Sequence, residues 1–281
     1  MKPTTEKNLS TLVEDIYKTV SDLNLGEKDI PEECLESLTI GIKKSILEWA
    51  KPKKKNGFFV RMSNIGRPAR QLYYNKKSPR DVTPDASTLI KFLYGHILEE
   101  VLIFLVKLSD HNVTDQQKKV IVNGVTGHLD CKINGEVIDI KTASSFAFRK
   151  FKNGTLREDD PFGYMSQLAG YEHAEGTNNG GFLVINKESG EITLYQPEEL
   201  DKPNIKTLRE KKEMPIIQCD IREGRSPEQK AALASEITRV VNETIDAPIE
   251  YIYVLIRETP GAHHIKAGNA LPDWVPPDGA K

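Results

Sequence analysis

Apolar residues recur at helical spacing along the first fifty positions. Leu9, Leu12, Val13, Ile16, Tyr17 and Val20 form one stripe between Glu6 and Leu23, and a second pattern runs from Pro31 to Ala50. Pro31 suits the first turn of the second helix, because the N–H it lacks is one that a helix start leaves unpaired. A longer apolar helix runs from a cap at Asp85 or Ser87 to about Leu108, with Leu89, Phe92, Leu93, Ile97, Val101, Phe104 and Leu105 turned inward. The period then changes. Gly127 to Ala143 reads as two short strands joined at Asn134-Gly135, a dipeptide that accepts the positive φ angles of a tight hairpin turn. Strands are also predicted for Phe58 to Arg61, for Gly180 to Asn186 and for Glu191 to Gln196, the latter two around a Glu188-Ser189-Gly190 turn. Ser144 to Phe151 reads as a short basic and aromatic helix or loop, and Asp159 or Asp160 starts a helix to about Ala174. Ser226, followed by Pro227 and Glu228, caps a helix to about Asp246. Lys202 to Pro215 is polar without a clear period, and from Arg257 onward Pro260, Gly261, Pro272, Pro276 and Pro277 predict an irregular arm.

With 281 residues, 38% hydrophobic and 28% charged, the chain can bury a sizeable core. Apolar runs stay short of the ~18 residues of a bilayer span, and the Lys/Thr/Glu-rich start lacks the apolar centre of a secretory signal, so a cytoplasmic protein without membrane contact is expected. Cys34, Cys131 and Cys219 are widely spaced and form no Cys-x-x-Cys pair, which argues against a disulfide framework, a zinc knuckle and an iron–sulfur cluster. A formal net charge of −2 gives no global sign of a nucleic-acid partner, yet the charge is uneven: Lys43 to Arg80 holds twelve Lys or Arg against Glu48 alone. Lys51 to Gly57 reads as a basic connector, and from Ser63 to Tyr74 basic and aromatic residues interleave. That composition suits a surface following a phosphate backbone and stacking on bases.

Candidate chemistry gathers around the hairpin. Asp130 is placed on its first strand, while Asp139 and Lys141 are two apart on the second and leave the sheet on one face. Two acids and a lysine at one edge suit a hard divalent cation, which prefers carboxylate and carbonyl oxygens. Glu99 lies one helical turn after Gly95 within the apolar helix, where a carboxylate is costly unless a metal or a basic group pairs with it. Gln167 and Tyr171, four apart, share a helix face.

A helix with Glu99, strands with Asp130 and Asp139-Ile140-Lys141, then a helix with Gln167-Leu168-Ala169-Gly170-Tyr171: this order, from Asn56 to Gln196, resembles the PD-(D/E)XK nuclease superfamily in its RecB-like exonuclease branch. Gly95 with Glu99 matches the branch's helix motif in its glutamate form, and Gly127-His128-Leu129-Asp130 its Gly-x-x-Asp strand. Arg61 to Arg70, containing Ser63, Pro68 and Arg70, is similar to the upstream Ser…Pro-x-Arg element. Arg67 and Ala69 flank Pro68, and no late cysteine group is present, so the iron–sulfur cluster of some relatives is not expected.

The resemblance implies an α/β, restriction-endonuclease-like core: a mixed central β-sheet flanked by helices in αβββαβ order, with an N-terminal helical extension. The expected divisions are 1–50 (helical segment), 51–200 (nuclease core) and 201–281 (a helix and irregular arm packing on the core). The implied activity is a DNA exonuclease of recombination, repair or phage DNA processing in a bacterial or phage-infected cell, yielding 5′-phosphate and 3′-hydroxyl ends. Glu99, Asp130, Asp139 and the Ile140 carbonyl are expected to hold one or two Mg2+ or Mn2+ ions, Lys141 to orient water, and Gln167 and Tyr171 to complete the catalytic set. Ser63, Arg67, Arg70 and Lys150 are expected to contact DNA, and a recombinase or single-strand binding protein to engage the N-terminal helices. Oligomeric state is left open. A structure-specific or nicking endonuclease and a catalytically inactive DNA-binding relative are the alternatives.

Overall fold

The structure, a computed structural model, describes residues 7–51, 58–77, 84–122, 124–198, 215–247, 249 and 252–275. The basic connector at 52–57, the polar stretch 202–214 and the prolines at 276 and 277 lie outside the described residues. Two compact units divide the chain, Met1–Leu208 and Arg209–Lys281. Among the described residues no helix is long and apolar enough to cross a membrane.

In the first unit, helix α1 (Leu12–Leu25) follows a short 3-10 turn whose cap, Asn8, accepts a hydrogen bond from the Ser10 N–H at 2.9 Å. Leu12 and Ile16 are fully buried, whereas Tyr17 and Val20 stand half open to solvent, so the core-facing stripe is narrower than predicted. Helix α2 (Glu32–Ala50) packs along α4 without burying any side chain completely. Residues 58–61 form no strand; they lead into a 3-10 turn at Met62–Asn64 and then α3 (Ala69–Lys77). Helix α4 (Ala86–Leu108) is capped by Asp85, which accepts from the Thr88 N–H at 2.8 Å. Its buried stripe is Leu102, Ile103, Val106 and Leu108, while Phe92, placed inward by the pattern, is exposed. The first turns of α4 are apolar on several sides, so periodicity alone does not select a face there.

The central sheet has the order β1-β4-β5-β6-β7: β1 (Val113–Thr114), β4 (Cys131–Ile133), β5 (Glu136–Ala143), β6 (Gly181–Asn186) and β7 (Ile192–Tyr195). It is mixed, with β5 and β6 parallel and the other neighbours antiparallel. Asn134 and Gly135, at φ of +51° and +91°, make the predicted turn between β4 and β5. Strands β2 (Lys118–Val122) and β3 (Val125–Leu129) pair as a separate hairpin. Alternation along β5 and β6 splits the core in two. Val137, Ala143, Phe182 and Val184 meet α5 (Ser145–Lys152) and α6 (Tyr164–Glu175) on one face. Ile138, Ile140, Leu183 and Ile185 meet α1 and α4 on the other. Asp139 and Lys141 share the parity of Val137 and therefore face α5 and α6.

The second unit departs from expectation. Strand β8 (Ile216–Arg222), helix α7 (Pro227–Ile245) and strand β9 (Tyr253–Thr259) form a β–α–β unit with the strands parallel, followed by a small hairpin, β10 (Ile265–Lys266) and β11 (Asn269–Ala270). The predicted cap of α7 is present: Ser226 and Gln229 bond each other's backbone N–H groups, with Pro227 in the first position. Where an irregular arm was expected from Arg257, β9, a 3-10 turn at Gly261–His263 and the β10–β11 hairpin stand instead, and the division of the chain falls after Leu208. Its two strands carry runs of adjacent apolar residues, as parallel strands do, and so give no alternating signal to read.

Candidate active site

Pairing of β4 with β5 stops at Cys131 and Ile138. Beyond that pair the chains part, and the Ile140 N–H donates to Asp130 Oδ2 at 2.7 Å. Asp130 is therefore the single residue between β3 and β4 rather than a member of a strand, and its carboxylate takes over a sheet hydrogen bond. The parted edge opens a cleft of about 530 Å³ lined by Glu99, Asp130, Gln117, His128 and Lys44. Glu99 reaches it from α4 and accepts from Gln117 Nε2 at 2.7 Å.

Charge is concentrated here. Burial, then the neighbouring Glu100 charge, pushes the Glu99 carboxyl up to about 7 against the pull of Lys141. Burial, then the Asp139 charge, drives the Asp130 carboxyl well above the usual carboxylate range. Burial works against the Lys141 ammonium, but Asp139 and Asp130 outweigh it, so its pKa rises and the group stays protonated. Lys141 ion-pairs with Asp139. Among the described residues no three Asp, Glu, His or Cys side chains stand as a ready-made coordination shell. The donor set nonetheless fits a hard divalent cation: three carboxylates in one another's field, with the Lys141 ammonium group beside them.

Gln167 and Tyr171 act on this cluster from α6. Gln167 Nε2 lies 3.2 Å from Asp139 Oδ1 and 3.4 Å from the Tyr171 hydroxyl, which itself donates to the His128 carbonyl at 2.7 Å. They fix Asp139 and the backbone two residues ahead of Asp130, and so are positioning residues. This arrangement needs Gly127, since a Cβ there would fall 2.6 Å from both Met62 Cβ and Tyr171 Cε1.

Of the residues expected at DNA, Arg67 and Lys150 both lie near Tyr164 and Lys141. Gly66 and Gly163 cross with no room for a Cβ on either, and this crossing carries Arg67 to the start of α6, where Tyr164 feels both its charge and that of Lys141. The Arg67 Nε is buried without a hydrogen-bond partner. Lys150 ion-pairs with Asp159 beside Tyr164. Ser63 is exposed on its 3-10 turn, and Arg70 lies over the Tyr74 ring at 5.8 Å. Sequence reasoning missed Gln117 and the role of Tyr164, whose ring lies 5.1 Å from Lys141 Nζ. Of the two helix starts expected, Asp159 or Asp160, it is Asp160 that engages the first turn of α6, accepting from the Gly163, Tyr164 and Met165 N–H groups.

The second unit holds its own polar cluster. The Arg225 guanidinium stacks on the Trp274 indole at 4.6 Å and donates to the Arg222 carbonyl at 2.7 Å, while Arg222 Nη1 donates to the Pro272 carbonyl at 2.9 Å. Comparison with known proteins gives the class of this β–α–β unit. The family model "Tautomerase enzyme" matches residues 215–273. A 2-hydroxymuconate tautomerase of Pseudomonas putida is 48% identical over 50 residues, 18% of this chain and 79% of its own. A probable tautomerase of Bacillus cereus is 43% identical over 60 residues, 21% of this chain and 98% of its own. A solved structure of N2, a member of the 4-oxalocrotonate tautomerase family, is 72% identical over 21% of this chain and 94% of its own, with a TM-score of 0.21. Through its C-terminal unit, the chain belongs to the tautomerase enzyme family. The matched residues lie wholly within that unit.

Proposed function

We propose that the chain carries two activities: divalent-metal-dependent hydrolysis of DNA phosphodiester bonds in residues 1–208, and tautomerisation in the C-terminal unit. The first rests on the convergence of Glu99, Asp130 and Asp139 with Lys141 at the parted edge of β5. Glu99, Asp130, Asp139 and the Ile140 carbonyl would hold Mg2+ or Mn2+, which supplies a water of lowered pKa and a counter-charge for the phosphate. Lys141, kept protonated, orients that water and balances charge building on the phosphate oxygens. Gln167 holds Asp139, Tyr171 holds the chain leading into Asp130, and Arg67 with Lys150 grips the neighbouring phosphates. In-line attack breaks the P–O3′ bond, leaving a 5′-phosphate and a 3′-hydroxyl.

End-labelled linear duplex and single strands, incubated with Mg2+, Mn2+ or EDTA, test this reading. Asp139→Asn should remove cleavage while leaving the fold and DNA binding intact; wild-type turnover in that variant refutes the assignment. Closed circular DNA separates an exonuclease, which needs an end, from a nicking enzyme, and binding without cleavage in either metal identifies an inactive relative. For recruitment of a recombinase or single-strand binding protein, truncation to Ala50 is unsuitable because Leu12 and Ile16 belong to the core. Ile40 and Leu47, exposed on α2, are the positions to substitute.

A tautomerase moves a proton between the oxygen and a carbon of an enol through an anionic intermediate. Arg225, immobilised between Trp274 and the Arg222 carbonyl, supplies a fixed cation for that anion. Absorbance of 2-hydroxymuconate reports the conversion, and Arg225→Ala should lower kcat/KM by roughly 100-fold. Unchanged turnover in the variant removes Arg225 from the mechanism.

A further inference from the structure

Beside Lys141 lies a second cavity of about 290 Å³ bordered by Ala147, Phe151, Leu156, Phe162 and Tyr164. Its size is at the lower end of small-ligand sites. Its floor is apolar and its mouth aromatic: Phe162 and Tyr164 stack at 5.4 Å with 25° between their planes, and Phe162 keeps 52% of its surface in solvent. Along the adjoining face of α5, Phe146 is 67% exposed, with Arg149 and Lys150 over its ring at 5.9 and 5.3 Å. The two acids at the rim present little free charge, since Asp159 is paired with Lys150 and Asp160 is engaged with the start of α6.

Exposed aromatic faces alternating with cations are what a nucleic acid with unpaired bases requires, because each base offers a ring face and each phosphate a negative charge. We infer that this cavity receives an unpaired nucleotide next to the scissile phosphate, its base against Phe162, with Phe146 carrying a neighbouring base. A base held in a duplex is stacked and paired on both sides and does not enter. The substrate class is therefore a single strand or a frayed end rather than intact duplex. This inference rests on the hydrolysis proposed above, because Lys141 belongs to both the cavity and the carboxylate cluster.

Full-length protein in EDTA, mixed with a single-stranded oligonucleotide carrying 2-aminopurine, tests it without cleavage. Wild type should quench the fluorophore. Phe162→Ala should weaken single-strand binding by roughly tenfold or more and abolish the quenching. Phe162→Tyr should restore both, and binding of a hairpin-capped duplex should not change. Equal losses on single strand and duplex, or quenching unaffected by Phe162→Ala, overturn the inference. The two proposals fail separately: quenching that depends on Phe162 without cleavage in any metal removes hydrolysis alone. Metal-dependent cleavage whose KM for single strands is untouched by Phe162→Ala removes the nucleotide cavity alone.

Discussion

The charge held at the parted edge of β5 should cost the metal-free protein stability, and Glu99→Gln measures that cost. A Glu99 carboxyl moved from an ordinary 4.5 to about 7 binds a proton more tightly in the folded state than in the unfolded chain. Stability then falls as pH rises from 4.5 to 7 and stays reduced above it, the reverse of the usual ion-paired carboxylate. At about 1.4 kcal/mol per pH unit, the penalty above pH 7 is at most roughly 3.5 kcal/mol; solvent in the cleft should bring it nearer 1–2 kcal/mol. The Gln side chain keeps an oxygen for Gln117 and removes only the charge. Urea unfolding in EDTA, followed by Trp49 fluorescence in a Trp274→Phe background, isolates the first unit. The variant should match its parent near pH 4.5 and exceed it by about 1–2 kcal/mol at pH 8. Millimolar Mg2+ should stabilise the parent more than the variant. A variant no more stable than its parent at pH 8 refutes the account of Glu99 as a strained, repelled carboxylate.

Tyr171→Phe removes the donor to the His128 carbonyl from a side chain only 2% exposed, and should cost about 1–3 kcal/mol in the same urea assay, with cleavage reduced at saturating Mg2+. A change under about 0.5 kcal/mol would remove Tyr171 from its positioning role. His111 is buried, and burial lowers its pKa in spite of Asp15 at 3.1 Å from Nε2; Asn134 meets its other ring nitrogen at 2.9 Å. A histidine held neutral gives full stability above the unfolded value near 6.5 and loses it as pH falls below. In the Glu99→Gln background, unfolding midpoints should therefore decline from pH 7 to pH 5, and His111→Gln should flatten that decline.

Much of the first unit was legible because its signals are local. Asn134-Gly135 names its own turn, Asp85 names its helix start as Ser226 does in the second unit, and Asp139 and Lys141, two apart on a strand, share a face. Long-range facts were less accessible. That Asp130 sits between strands depends on where β3 ends its pairing with β2 and β4 joins the central sheet, which its own residues do not encode. The inward face of α4 is fixed by which of its apolar sides meets Ile138 and Ile140. The second unit was hidden differently: the proline-rich tail around Pro272 masked a strand beginning at Tyr253, and Ile216-Ile217 lacks the alternation of a half-exposed strand. Family likeness, rather than periodicity, supplied its function class.

Gly66 and Gly163 contribute no chemistry, yet their crossing fastens the loop bearing Arg67 to the helix bearing Tyr164. Any larger residue at either position must pry those two segments apart. A mutational survey scored for soluble expression should already register this rivet, while the acids should emerge only when the same survey is scored for the proposed DNA turnover.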